Sequence, residues 1–164
     1  MRIAQGWDRH ALVESRPLVL GGERVPFDRG LLGHSDGDVV AHAVADALLG
    51  AAGLPDLGSL FPSDDPAWQG ADSLALLERV AEMLVAQRIE IVNLDAVIIA
   101  ERPPLAEHLP RIRQNLARAL GAAEEAVSIK AKSPEGVGAL GRGEAIEAHA
   151  VALVARAAPD RQDG

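Results

Sequence analysis

Apolar and polar positions along this chain change period several times, and each change marks an element. "MRIAQGWDRH", with Ile3 and Trp7 set among polar residues, reads as a first strand. "PLVLGGERVPF" places two short apolar runs around Gly21-Gly22-Glu23, the pattern of a hairpin. From about Asp38 to Gly53 the period lengthens. Val39, Ala43, Ala47 and Leu48 recur at helical spacing there, and Gly53 supplies a stop. A second helix begins where Asp72 or Ser73 can cap it, with Leu77, Val80, Ala81 and Leu84 on one face. "IEIVNLDAVIIAE" alternates and is rich in β-branched residues, so it predicts a strand. Pro110 opens a third helix, on which Ile112, Leu116 and Leu120 stand four apart before Gly121 closes it. "AVSIKAKS" predicts a further strand. The Ala-rich "EAIEAHAVALVARA" is ambiguous by period, but Ile146, Ala148, Ala150, Ala152 and Val154 at every second position favour a strand.

Strands and helices interleave, which predicts an α/β or α+β sandwich with a mixed sheet covered by helices. With no internal repeat or low-complexity linker, residues 1–157 are expected to form a single domain. Residues 158–164, ending in "PDRQDG", are expected to be a flexible tail. The segment "LPDLGSLFPSDDPAWQGAD" is long for a loop, and long ordered loops are usually functional.

At 164 residues the chain can bury roughly 70% of its unfolded surface. Two Trp, two Phe and no Tyr leave the core to aliphatic residues and supply no rings for stacking bases. A net charge of -8 argues against binding polyphosphate backbones, so no nucleic-acid partner is expected. A small anionic substrate would need local positive charge from a metal ion, a helix N-terminus or an Arg. With no cysteine, any metal must be held by His and carboxylate. The first residues carry no apolar leader, and no stretch approaches the ~20 apolar residues of a membrane span. The expectation is a soluble cytoplasmic protein without membrane contact.

Three constellations could carry chemistry. Asp8 and His10 stand two apart on a predicted strand, so both side chains leave one face. On the predicted helix, Asp38, His42 and Asp46 follow one another at one-turn intervals. An Asp and a His from a strand with a His from a helix match a catalytic zinc site with its fourth position open. Asp46 or Asp38 could then accept the other ring N–H of His42. The bland alternative is a solvated pair and an ordinary helix histidine. The second constellation is "GHSDGD", where Gly33, Ser35, Asp36 and Gly37 turn into a helix. Backbone N–H groups there, with His34 beside them, suit a phosphate, although Ser35 or Asp36 could simply be the cap. The third is "KAKSPEGVGALGRGEA", a Gly-rich loop offering Lys130, Lys132 and Arg142 to anions, and Ser133. Glu135 could hold a divalent ion such as Mg²⁺ against phosphate oxygens. Of the other histidines, His108 precedes a helix and is expected to be exposed, while His149 alternates with apolar residues.

Together these segments resemble one family, the 2-C-methyl-D-erythritol 2,4-cyclodiphosphate synthases. "GWDRH", "GHSDGDVVAHAVADALLGAAGLPDLGSLFP", "DPAWQGADS" and "LGRGE" match its pattern in order and separation, from Met1 to about Ala157. The resemblance implies a homotrimer of α/β subunits around a central sheet-lined axis, with active sites between adjacent subunits. It implies conversion of 4-diphosphocytidyl-2-C-methyl-D-erythritol 2-phosphate to the cyclic diphosphate with release of CMP. By the same resemblance, zinc is held by Asp8, His10 and His42, and Mg²⁺ or Mn²⁺ bridges the substrate phosphates and contacts Glu135. His34 and Ser133 occupy the positions that stabilise the transition state, and Asp56 and Gly58 those that hold methylerythritol hydroxyls. Ser35, Phe61, Asp65, Ala100, Pro103, Ala131, Glu135 and Arg142 fall at further substrate-binding positions.

The loop Ala131-Lys132-Ser133-Pro134-Glu135 departs from the family's A-T-T-T-E, and Ser133 keeps a hydroxyl where Thr is expected. Pro104 stands where a Lys commonly borders the cytidine pocket. Ala139 stands where a Phe is common, although Arg142 and Glu144 remain beside it. Two other readings follow from these departures and from the site itself. One is a nucleotide- or isoprenoid-binding trimer without turnover; the other is a metal-dependent phosphohydrolase.

Overall fold

The computed structural model describes residues 1–157, and the expected flexible tail at 158–164 lies outside the described residues. Alternation through the N-terminal segment builds a strand longer than its first ten residues, β1 (Arg2–Glu14). The predicted hairpin forms as β2 (Leu18–Leu20) against β3 (Glu23–Val25), turned by Gly21 and Gly22. Both glycines have positive φ, the backbone that a two-residue hairpin turn requires. Next come β4 (Arg29–Leu31), α1 (Val39–Ala52), α2 (Leu57–Leu60) and α3 (Ser73–Ala86). The chain then runs through β5 (Ile89–Ile99), α4 (Leu109–Leu120), β6 (Val127–Lys132), α5 (Gly138–Gly141) and β7 (Ala145–Arg156).

Five strands form one sheet in the order β4-β1-β7-β5-β6. All neighbours are antiparallel except β5 and β6, which run parallel because α4 crosses over between them. The mixed sheet and its helices match the class that the alternation predicted. The Ala-rich C-terminal segment is indeed a strand, central in the sheet. Its even positions from Ile146 to Val154 are buried, while Glu147, His149 and Val151 face the other side.

Helix α1 packs across β1 and β7. Eleven of its fourteen residues are buried, and the three that are not, His42, Asp46 and Gly50, stand four apart in a single stripe. Close approach to β1 depends on Gly6, where a Cβ would lie 1.9 Å from the Ala43 carbonyl oxygen. Asp38 caps the helix, and Gly53 ends it in the left-handed conformation. Asp72, with its side chain accepting from the Leu74 N–H, is the cap of α3.

Three features were not foreseen. Strand β4 is only three residues long and shows no alternation. The long loop after α1 folds into α2 and a short 3-10 turn at Pro66–Trp68, each started by an Asp cap. The Gly-rich segment near the C-terminus contains α5. Among the described residues no helix is long and apolar enough to cross a membrane.

Candidate active site

The inward face of β1 and the partly buried stripe of α1 meet at the metal-ligand candidates. Asp8 and His10 pair in register with the buried Ala148 and Ile146, so their side chains point to the face that α1 covers. Asp8 Oδ2 lies 3.0 Å from His10 Nε2 and 2.9 Å from His42 Nδ1, and the two ring nitrogens are 3.4 Å apart. Tetrahedral zinc with ligands at its usual ~2.0–2.1 Å requires donor atoms about 3.3 Å apart, which this triangle approaches on every edge. Among the described residues these three form the group of His and acidic side chains able to hold a metal.

Asp8 and His42 shift each other's proton affinity. Burial would raise the Asp8 carboxyl, but hydrogen bonds and charge from His10 and His42 outweigh it and hold Asp8 well below the usual carboxylate range. Burial would lower His42, but Asp8 outweighs it and moves the imidazole above its ordinary 6.5.

The other nitrogen of His42 does not face Asp38 or Asp46, contrary to the expectation from helical spacing. Nε2 lies 3.0 Å from Ser73 Oγ and 3.1 Å from Ser35 Oγ. Asp38 is turned back on the helix, accepting from Val40 and Ala41 and also from Gly21 and Gly22 of the hairpin turn. Asp46 accepts the Leu57 N–H at 2.8 Å, which ties α2 to α1. Both carboxylates are spent on backbone donors, those that a helix start leaves free and, for Asp38, also those of the hairpin turn.

The "GHSDGD" loop leads from β4 to the capped start of α1. Its cap is Asp38 rather than Ser35 or Asp36. Arg16 donates to the carbonyls of Gly33 (2.9 Å) and Ser35 (2.8 Å), clamping the chain on either side of the exposed His34. Asp56 caps α2, which contains Gly58, and Phe61 ends it. Phe61 packs edge-on to Trp68, with centroids 4.9 Å apart. Asp65 caps the 3-10 turn through the Ala67 N–H.

The remaining candidates gather at the far ends of β5 and β6. Ala100 and Pro103 are buried just beyond β5, and Ala131 lies within β6. Ser133 donates to Glu101 Oε2 (3.1 Å) and accepts from the Glu135 N–H (2.9 Å), while the Gly136 N–H also reaches Glu101. Glu101 thus organises the loop. Arg142 is already paired with Glu144 at 2.7 Å, and Lys130 binds the Asp95 carboxylate, so these cations have partners within the chain. His108 is half-buried with Nδ1 3.3 Å from Glu23, not exposed as its position suggested. His149 contacts Glu147 at 2.6 Å on the opposite face of the sheet.

One rung of the sheet runs Asp8, Ala148, Ile98, Ala131. Three strand spacings therefore separate the Asp8–His10–His42 group from β6, about 14 Å. The chain brings together Asp8, His10, His42 and Ser35, but it does not bring Ser133 and Glu135 onto them.

Sequence reasoning passed over Arg16 and Glu101, saw Ser73 as a cap candidate, and saw Asp36 as a cap candidate within a turn suited to phosphate. Their roles depend on contacts between distant segments. The local signal available was a hydroxyl directly after the capping Asp72.

The model of the YgbB family matches residues 1–155. The chain belongs to the YgbB family. A relative from Pelobacter propionicus, named 2-C-methyl-D-erythritol 2,4-cyclodiphosphate synthase, is 53% identical over 154 residues, covering 94% of this chain and 98% of that protein. The solved structure described as IspF of Plasmodium falciparum in complex with CDP superposes with a TM-score of 0.83 at 32% identity. It covers 96% of this chain and 97% of its own. A bifunctional IspDF from Campylobacter jejuni gives a TM-score of 0.90 at 35% identity, covering 93% of this chain and 42% of that longer one. The Asp-His-His triangle of this YgbB-family chain is therefore set in a fold shared along nearly its whole length with a named cyclodiphosphate synthase.

Proposed function

We infer that this chain converts 4-diphosphocytidyl-2-C-methyl-D-erythritol 2-phosphate to 2-C-methyl-D-erythritol 2,4-cyclodiphosphate and CMP, within non-mevalonate isoprenoid synthesis. The observation that carries the reading is the convergence of Asp8, His10 and His42 in a chain about half identical to enzymes of that name. An oxygen of the 2-phosphate attacks the β-phosphorus of the diphosphate, the new P–O bond closes the ring, and the bond to CMP breaks. Two anionic groups must approach, so repulsion and positioning make up most of the barrier.

Residues 1–157 act as one domain in this reading, in the cytoplasm. Asp8, His10 and His42 would hold Zn²⁺, and Glu135 would contact a Mg²⁺ or Mn²⁺ ion on the phosphates. When bound, these cations supply positive charge that offsets phosphate repulsion. His34, held on the Arg16-clamped loop, donates to a phosphate oxygen, with Ser35 beside it. The Ser133 hydroxyl stabilises the transferring group. Asp56 and Gly58 hold the methylerythritol hydroxyls, with Phe61 and Asp65 bordering them. Ala100, Pro103 and Ala131 line the cytidine pocket, and Arg142 lies at the rim.

A homotrimer completes the site. The separation of the Ser133 loop from the metal ligands supports a cleft built from two subunits. The face of the sheet away from the helices supports the assembly, because it leaves Ile3, Trp7 and Val151 exposed.

Incubating the purified protein with its substrate and Mg²⁺ tests the activity. Release of CMP with a cyclic diphosphate, followed by phosphorus NMR, is the expected result. A linear bisphosphate would indicate hydrolysis, and CMP binding without product would indicate a non-catalytic trimer. The His42→Ala variant is expected to lose both zinc and turnover; normal turnover without zinc would refute the assigned role.

A further inference from the structure

His42 presents one nitrogen to Asp8 and the other to a pair of buried hydroxyls. Ser73 Oγ is hydrogen-bonded to Asp36 Oδ1, and the Ser73 N–H donates to Asp36 Oδ2 at 3.1 Å. An ionised carboxylate can only accept, so the Ser73 hydroxyl proton is committed to Asp36. Ser73 Oγ can then only accept from His42, which requires the proton on Nε2. The lone pair of Nδ1 is left facing Asp8 Oδ2 at 2.9 Å, an arrangement that needs a cation or a proton between the two. Ser73 is 1% exposed and Ser35 8%, so water does not compete for these bonds. The Gly37 N–H donates to Ser35 Oγ, adding a further direction to the array.

We propose that Asp36 and Ser73 are positioning residues that hold His42 in its Nε2–H tautomer and so present Nδ1 to the metal. The relay runs from a carboxylate in the loop before α1, through the first residue of α3, to a ring in the first turn of α1. Metal affinity is thereby coupled to the seating of α3 against α1. The proposal rests on the assignment of His42 as a metal ligand.

The test measures zinc affinity of the full chain by competition against a chelator, with Co²⁺ absorption as a spectroscopic check on ligand geometry. Ser73→Ala is expected to weaken zinc binding by about tenfold or more, the loss typical when the partner of a ligating histidine is removed. Ser73→Thr, which keeps the hydroxyl, is expected to restore most of it. Asp36→Asn is expected to weaken zinc binding as well and to alter the Co²⁺ spectrum. Because the groups act in series, the double variant should bind no more weakly than the worse single one. A purely structural role would lower the melting temperature of zinc-free and zinc-loaded protein alike while leaving affinity intact, and that result would overturn the proposal. Additive losses in the double variant would overturn it too. If Ser73→Ala fails to fold, unchanged affinity in Asp36→Asn has the same force. Failure of the unaltered chain to bind zinc would overturn the metal-site assignment itself, an outcome distinct from zinc binding that is indifferent to Ser73.

Discussion

At Asp38 two opposing effects meet in one carboxylate. Burial pushes it above its ordinary 3.8, while N–H donors from Gly22, Gly21 and Ala41 pull it down, leaving it raised. Four backbone donors depend on it, two from the hairpin turn and two from the start of α1. Asp38→Ala leaves all four buried without a partner and should destabilise the chain by about 3 kcal/mol, measured by urea denaturation. Asp8 and His42 give a pH dependence of definite sign. His42 is raised in the folded state, so its contribution to zinc-free stability is complete below pH 6.5 and lost as pH rises through the folded value. Asp8 is lowered, so its contribution is present above pH 3.8 and lost only in stronger acid. Under the proposed assignment, zinc would compete with the proton on His42. The melting temperature of metal-stripped protein should therefore fall as pH rises past the His42 value, while the increment from added zinc grows. Thermal denaturation with and without zinc on either side of that pH checks both halves.

Among the elements, α1 determines where the site is. It is a nearly all-buried helix whose polar stripe is one residue wide, and that stripe was legible because His42 and Asp46 interrupt an otherwise apolar period. What the stripe contacts was not legible. Depth of insertion comes from Gly6, where a side chain would collide with the Ala43 carbonyl and, at 2.5 Å, the Ala47 nitrogen. Backbone cannot yield as a flexible side chain would. Gly6→Ala should cost at least the upper part of the ~1–3 kcal/mol usual for overpacking, and should weaken zinc binding by moving His42 away from Asp8. Calorimetry and the chelator competition report the two effects separately. Long strands were readable because alternation accumulates over ten or more residues. The three-residue β4 and the four-residue α2 and α5 are too short to display a period; β4 is held by pairing with β1, and α2 by the Asp46 and Asp56 carboxylates at its start.

For the whole molecule, the decisive geometry is the distance across the sheet between the two halves of the candidate site. If each cleft takes its metal ligands from one subunit and its Ser133 loop from the next, two inactive proteins should complement each other. His42→Ala and Ser133→Ala, unfolded together and refolded as a mixture, should regain about a quarter of wild-type activity, because that share of head-to-tail interfaces receives two intact halves. Recovery of no activity in mixed assemblies, with trimer mass verified, would place both halves in one subunit. If the cleft is shared in this way, the exposed Ile3, Trp7 and Val151 predict where the subunits meet, since large apolar side chains left open to water on one sheet face mark an association surface.

Local pattern was enough to define the long strands, the three principal helices with the glycine stops at Gly53 and Gly121, and the residue types from which a metal site could be assembled. Periodicity and capping are short-range physics, read from neighbours a few positions apart. Only the tertiary structure decided that Asp8, His10 and His42 share one point in space, and that His42 turns its second nitrogen to Ser73 and Ser35 instead of Asp46 or Asp38. It likewise decided that the Ser133 loop stands three strands away. Those outcomes follow from sheet order and from how closely α1 can approach β1, which packing between distant segments sets.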